Sequence, residues 1–174
     1  MNTESNTDHS IKICDAMDSF VQKVGHFFMW TNGLLIIAII TQVVLRYGFG
    51  KGLVVLEELQ WHLYAVGIMF GASYAMTLDS HIRVDIVHAN LSEKWRYRWD
   101  LFGITFLLMP FVVIVFHQSL DFVWEAWRVG ESSDAPSGLP FRWLIKGVIP
   151  ASFGLLAIAV ISRAIRIIHF LRRG

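Results

Sequence analysis

Four apolar stretches of about 20 residues recur along the chain, separated by shorter polar segments. They cover residues 27–45, 59–78, 101–120 and 143–162. A helix needs about 20 residues to cross the hydrocarbon core of a bilayer, and none of the stretches shows the period-two alternation of barrel strands. The pattern therefore predicts an all-α membrane protein with four transmembrane helices, forming a single domain over residues 1–174.

The composition supports this class and argues against soluble, nucleic-acid-binding and disulfide-rich proteins. Hydrophobic residues make up 55% of the 174 residues and charged residues 17%, whereas an average soluble domain has about 25% charged residues. The net charge of +1 offers no basic field for nucleic acid. A single cysteine excludes a disulfide framework and a site built from several thiolates.

The distribution of Lys and Arg predicts the orientation of the helices. Ten of these residues lie before the first span, between spans two and three, or after span four, whereas five lie in the segments 46–58 and 121–142 or close to them. Both termini are therefore expected to be cytoplasmic. All seven tryptophans lie near predicted span ends, as in the aromatic belts found at the two membrane surfaces.

Residues 11–24 have an amphipathic helical pattern. Cys14, Val21 and other apolar residues recur every three or four positions, with charged residues between them. We interpret this segment as a separate interfacial helix on the inner leaflet, with membrane lipids as its partner. The alternative is that the first transmembrane helix simply extends into the cytoplasm.

Two features of the second span concern packing and polar contacts. Gly67, Gly71 and Ala75 form a small-residue stripe that allows another helix to approach closely. Glu57 and Glu58 open the span, where acids suit the positive end of the helix dipole. They are alternatively placed to pair with basic residues of this chain or of a partner.

Histidines provide the main competing hypothesis. His62 and His117 are expected at similar depth near the outer boundary, and His26 and His169 near the inner one. Two such pairs on a four-helix bundle would suit a haem-binding cytochrome b-type electron-transfer subunit. Against this, all four histidines lie near span boundaries, where an imidazole can meet water or lipid headgroups. No acid or base lies at the centre of a span, which argues against an autonomous channel or pump, and no other catalytic or metal-binding motif is present.

Three motifs, in this order on a four-span chain, carry a family resemblance over about residues 20–170. They are Glu-Glu-Leu at 57–59, His-Ile-Arg-Val-Asp at 81–85 and Ser-Gly-Leu-Pro-Phe-Arg-Trp at 137–143. With them, the chain resembles the small membrane (Q) subunit of tripartite ATP-independent periplasmic (TRAP) transporters. The third motif looks closest to the branch associated with organic acids.

The resemblance implies a function in the bacterial inner membrane. Such subunits pair with a large multi-span M subunit, which carries the substrate and sodium sites and moves as an elevator. A periplasmic substrate-binding protein delivers the substrate. The small subunit enlarges the immobile scaffold and is not an enzyme, so the resemblance implies no catalytic residue, metal or cofactor in this chain.

Three groups of residues are therefore expected to matter for structure or assembly. They are a helix-packing or partner interface (Gly67, Gly71 and Ala75), polar contacts on the outer face (Arg46, Glu57, Glu58 and Arg142), and residues that fix the inner loop (Arg83 and Asp85).

Overall fold

The computed structural model describes the backbone of residues 2–78 and 92–173, and the side chains of residues 11–78 and 92–172. Within these ranges the secondary structure is helical, as predicted, and contains no strand. The helices are α1 (Asn2–Gly48), α2 (Val54–Thr77), α3 (Glu93–Gly103), α4 (Met109–Arg128) and α5 (Arg142–Arg173); a π-helical turn, Ile104–Leu108, joins α3 to α4. Four helical rods result, because α3 and α4 are continuous through that turn.

Three of these rods are long and apolar enough to cross a membrane: Ile11–Gly48, Glu93–Arg128 and Arg142–Arg172. They contain the first, third and fourth predicted spans. The second predicted span corresponds to α2, which has 24 residues. Polar residues such as Gln60 and His62 lower its hydropathy, so α2 does not belong to this apolar set.

The expectation of a separate interfacial helix at residues 11–24 is wrong. This segment is the first part of α1 and continues without a break into the apolar stretch, because no proline interrupts the backbone hydrogen bonds. Part of its apolar face packs on protein: Cys14 and Val21 are 1% and 0% exposed, whereas Ile13 and Phe20 are 51% and 54% exposed. The Ser162 hydroxyl of α5 donates to the Cys14 carbonyl over 3.3 Å. The alternative of an extended first helix describes the structure.

α1 and α2 form an antiparallel hairpin with one continuous register. The rings of Phe28 and Phe70 stack with centroids 3.8 Å apart, and the Gln60 amide donates to the Ala38 carbonyl over 3.4 Å. Residue numbers rise along α1 and fall along α2 in successive contacting pairs, as expected for antiparallel helices. The pairs are Gly25–Tyr74, Phe28–Phe70, Asn32–Gly67 and Ala38–Gln60.

α5 is the central helix of the bundle. Its Ser152 carbonyl accepts a buried 3.0 Å hydrogen bond from Ser73 of α2, and its Phe153 contacts Phe111 of α4 with ring centroids 5.9 Å apart. α2 and α4 therefore lie against different sides of α5. The core of the described residues consists of Val21, Phe70, Met76, Ile104, Leu155, Ala159, Val160 and Ile167.

Pro110 explains the π-helical turn between α3 and α4. Proline has no N–H to donate and its ring crowds the carbonyl four residues earlier, which loosens the preceding turn. In the structure the Met109 N–H bonds to the Ile104 carbonyl, five residues back. The loosening at Pro110 thus takes the form of one π turn within a continuous rod.

Candidate functional site

The Glu58 carboxylate joins α2 to the loop between α4 and α5. One oxygen accepts a hydrogen bond from the Ser133 hydroxyl and the other from the Leu139 N–H, at 2.6 Å. Gly138 lies against both Glu58 and Ser133, and a Cβ at this position would overlap Ser133. We call this arrangement of Glu58, Ser133, Gly138 and Leu139 the Glu58 clamp. It lies at the end of the bundle that the charge distribution assigns to the outside, the outer end.

The loop held by the clamp is tightly folded. Gly130, with φ of 60°, follows α4 in a Schellman ending. The Ser133 N–H then donates to the Leu139 carbonyl over 3.2 Å, which closes the loop on itself. Ser137 and Phe141 have positive φ values of 65° and 61°, a conformation that is uncommon for residues other than glycine. The hydrogen bonds of the clamp help to hold this backbone.

Arg142 braces the same loop at the start of α5. Its N–H donates to the Glu131 carbonyl over 3.0 Å, and its guanidinium lies 3.6 Å from the Glu131 carboxylate and 3.4 Å from that of Asp134. Lys146 also pairs with Glu131 and lies over the Phe122 ring, 3.8 Å from its centroid. Glu58 and Arg142, both predicted to make polar contacts on the outer face, thus contact the same loop.

Glu57 belongs to a different polar cluster, although it adjoins Glu58 in sequence. Its carboxylate accepts a 3.1 Å hydrogen bond from Gln42 and lies 3.6 Å from Arg46. Gln42 is only 6% exposed and accepts a 3.2 Å hydrogen bond from the Leu53 N–H. Adjacent residues point in different directions on a helix, so Glu57 fixes the α1–α2 connection and Glu58 fixes the α4–α5 loop.

The hydroxyl of Ser133 and the N–H of Leu139 stabilise the ionised form of Glu58, and so they lower its pKa from the ordinary value of 4.5. Because the pKa is depressed in the folded loop, the clamp contributes fully above the ordinary value. Its contribution decreases as the pH falls below that value, and it is lost once the pH passes below the lowered pKa.

Acidification should therefore release the loop in a single titration. A nitroxide label at Ser132, which is exposed and takes no part in the clamp or the Arg142 contacts, should show a narrow, mobile spectrum only when the pH falls below the ordinary pKa of glutamate. In a Glu58→Gln background the label should be equally mobile at neutral and acidic pH. A midpoint unchanged by Glu58→Gln would contradict the assignment of the transition to this carboxyl.

The small-residue stripe of α2 divides into two parts. A Cβ added at Gly67 would lie 2.8 Å from the Asn32 side-chain oxygen, so Gly67 packs against α1 of the same chain. Around Gly71 no atom lies within 4 Å of such a Cβ, and Ala75 is half-buried. Gly67 is thus a packing residue within the chain, whereas the space beside Gly71 is open.

The remaining predicted residues are not brought into the clamp. Arg83 and Asp85 lie outside the described residues. His62 is half-buried on α2 whereas His117 is exposed on α4, and α5 packs between these two helices. Among the described residues, no group of three His, Cys, Asp or Glu side chains is arranged to hold a metal ion. The haem hypothesis receives no support from this arrangement.

Sequence reasoning missed the contact between two of its own motifs. The acidic opening of α2 and the Ser-Gly-Leu-Pro stretch at 137–140 were each recognised, but the bonds that join Glu58 to Ser133 and Leu139 were not. The available signal was the complementary chemistry of the two motifs: an acid at a helix start, which accepts hydrogen bonds, and a tight turn that exposes N–H donors. The contact between Gly25 and Tyr74 was likewise missed.

The architecture defines a class of protein before any comparison is made. Its described part consists of long apolar helices connected at the outer end by a braced polar loop, which is typical of a membrane-embedded subunit. Comparison with known families gives the family. The sequence model of the component described as "Tripartite ATP-independent periplasmic transporters, DctQ component" matches residues 35–170, so the chain belongs to this family. Its members are transporter components and not enzymes.

A curated relative agrees with this assignment. A protein of Haemophilus influenzae, provisionally named a TRAP transporter small permease protein, is 27% identical over 150 residues, covering 81% of this chain and 84% of its own length. No solved structure matches the chain. The family match, the name of the relative and the apolar helices together identify a membrane-spanning small permease of the TRAP type.

Proposed function

We propose that this chain is the non-catalytic scaffold of a TRAP-type secondary transporter in the bacterial inner membrane. In this proposal it holds a large elevator-type M subunit in place, and a periplasmic binding protein delivers the substrate. Uptake is coupled to sodium, for which the M subunit supplies the sites, and the substrate is an organic acid. The family membership supports the transporter role, and the resemblance of the 137–143 motif supports the substrate class.

The observation that carries the scaffold role is the large apolar surface that the chain leaves uncovered. In the most apolar 18-residue stretch of α1, only 11% of the residues are buried within the chain. The same share is buried in the most apolar stretch of residues 93–128. Trp30, Ile37, Phe106 and Ile114 are each more than half exposed. Surfaces of this kind are stable only against lipid or against other membrane helices.

The proposed topology has four crossings with both termini in the cytoplasm. α2 supplies the fourth crossing in this proposal, because it runs antiparallel to α1. Its 24 residues extend about 36 Å, which is enough to cross the hydrocarbon core. Its buried Ser73 hydroxyl is satisfied by a carbonyl of α5, as a crossing helix requires. This topology places the Glu58 clamp on the periplasmic side, where it faces the M subunit or the binding protein.

Gly71 tests whether α2 contacts the M subunit. Gly71→Leu should leave the chain's own fold intact, since the added side chain enters open space, but it should reduce the amount of M subunit that co-purifies by about tenfold if a helix packs there. The measurement is the M-to-Q ratio after affinity purification in mild detergent.

Gly33→Leu is the matched control, because Gly33 lies on α1 with no atom near its added Cβ. It should keep a wild-type ratio if this exposed face of α1 meets lipid and not the M subunit. Equal M-to-Q ratios for wild type, Gly71→Leu and Gly33→Leu would remove Gly71 from the interface.

A further inference from the structure

A polar cavity of about 430 Å³ lies where α1, α2 and α5 diverge, at the end of the bundle opposite the Glu58 clamp. We call this end the inner end. The cavity is distinct from the clamp and from the α2 stripe. Its charged and hydrogen-bonding walls come from three helices and include Asp15, Asp18, Gln22, Thr77, Arg163 and Arg166.

The charges of the cavity come from two neighbouring helices, one acidic and one basic. α1 supplies two carboxylates and α5 supplies two guanidinium groups. Arg166 donates to one oxygen of Asp15 over 2.7 Å and to one oxygen of Asp18 over 2.8 Å, and each carboxylate has a second oxygen with lone pairs to accept a further donor. Arg163 reaches Asp100 at 3.7 Å. The two signs balance, so the cavity suits a dipolar ligand better than a simple anion or cation.

The depth of the cavity points to the membrane surface. Thr77 is the last residue of α2, and Arg163 immediately follows the predicted fourth span, 143–162. The apolar parts of α2 and α5 end at this level, and α1 passes it in the polar segment that precedes its apolar stretch at 27–45. The cavity therefore lies at the level of the lipid headgroups, where water, phosphate groups and amines are present and acyl chains are not.

We propose that this cavity binds the headgroup of phosphatidylethanolamine. The primary ammonium donates to the carboxylates of Asp15 and Asp18, and the phosphate accepts from Arg163 and Arg166, as charge-assisted hydrogen bonds require. A choline headgroup has no N–H to donate, and no aromatic side chain among the described lining residues forms a cage for it. The proposal rests on the membrane-spanning arrangement and not on the transport role.

The test uses the intact membrane complex, exchanged into nanodiscs that contain equal amounts of phosphatidylethanolamine, phosphatidylcholine and phosphatidylglycerol. Native mass spectrometry then reports which lipid stays bound when the belt and the bulk lipid are removed. Phosphatidylethanolamine should be enriched about tenfold over each of the others, the effect of one or two charge-assisted hydrogen bonds. Equal retention of the three lipids would overturn the proposal.

Two variants locate the bound lipid. Ser19→Trp fills the cavity from α1 without removing an ion pair. Asp15→Asn replaces one charged acceptor of the ammonium with a neutral amide, while Arg166 keeps Asp18. Both should abolish the enrichment, whereas Ala16→Trp, on an exposed position of the same helix outside the lining, should preserve it. Wild-type enrichment in both lining variants would contradict the site.

A soluble ester shares the same chemistry and is distinguished by competition. Excess glycerophosphoethanolamine should leave the bound lipid in place; displacement of most of the lipid would assign the cavity to a free headgroup ester and overturn the lipid assignment. The same spectra report whether the M subunit is present. A lining variant that loses the bound lipid but retains the M subunit supports the assignment of the lipid to this cavity. Loss of the M subunit in the wild type concerns the proposed function and not the cavity.

Discussion

Gly25→Ala should destabilise the chain markedly, although it adds only one methyl group. The new Cβ would lie 2.8 Å from Tyr74 Cβ. That atom is bonded directly to the α2 backbone, so no side-chain rotation can move it away. The helices must then separate, and separation also disturbs the stacked rings of Phe28 and Phe70. We expect a loss of about 2 kcal/mol, the scale of overpacking in a filled interior, and a thermal transition in detergent lowered by roughly 5 °C.

Gly33→Ala provides the matched comparison on the same helix. Nothing lies within 4 Å of its added Cβ, so only the higher helix propensity of alanine remains, which stabilises by up to about 1 kcal/mol. The two substitutions make the same chemical change and should shift the transition in opposite directions. Equal shifts would show that α1 and α2 do not approach at Gly25 as described.

Glu58→Lys should have the largest effect on uptake among the outer-face variants. The substitution removes the acceptor of the Ser133 and Leu139 bonds and places a cation near Arg142, so the α4–α5 loop loses the contact that holds it to α2. If that loop faces the M subunit or the binding protein, uptake of a radiolabelled organic acid into whole cells should fall at least several-fold. Limited proteolysis within the loop should accelerate in parallel.

Two further substitutions, Glu58→Gln and Glu57→Lys, distinguish the effect of a disordered loop from the effect of an altered charge. Glu58→Gln removes the charge but keeps the size of the side chain, so it should weaken the clamp less than Glu58→Lys. Glu57→Lys disturbs Gln42 and Arg46 instead, and it should leave proteolysis of the α4–α5 loop at the wild-type rate. Faster loop cleavage with normal uptake would restrict the clamp to a structural role.

The sequence predicted the helical elements well because the membrane imposes a simple rule. An apolar stretch of about 20 residues has few stable conformations in a bilayer other than a helix, so the segments at 27–45, 101–120 and 143–162 could be located without knowledge of their neighbours. The structure extends each of them into a longer rod. The family could also be recognised, because its motifs are local in sequence.

Contacts between distant residues could not be predicted in the same way. The amphipathic pattern of residues 11–24 is the same whether its apolar face meets lipid or α5, and only packing decides that Cys14 and Val21 face protein. The stripe at Gly67 and Gly71 likewise gives no indication of which glycine already has a neighbour. Helical periodicity identifies a face and not its partner.

The Glu58 clamp illustrates the same limit at the candidate site. Helix-dipole reasoning explained an acid at the start of α2, but the partners of Glu58 lie 75 and 81 residues away in sequence. The sequence predicts outer-face polar contacts for both Glu57 and Glu58 without naming a separate partner for each, and the structure assigns them to two different connections. Arg46 and Arg142 divide between these two connections in the same way.

A pull-down decides whether this chain is the small subunit of a larger transporter. The tagged chain is extracted from native membranes in mild detergent, and its partners are identified and quantified by mass spectrometry. We expect one large multi-span membrane protein at equal stoichiometry, with a periplasmic binding protein retained after light cross-linking. Recovery of the chain alone, or with a redox enzyme and a haem absorption band, would contradict it.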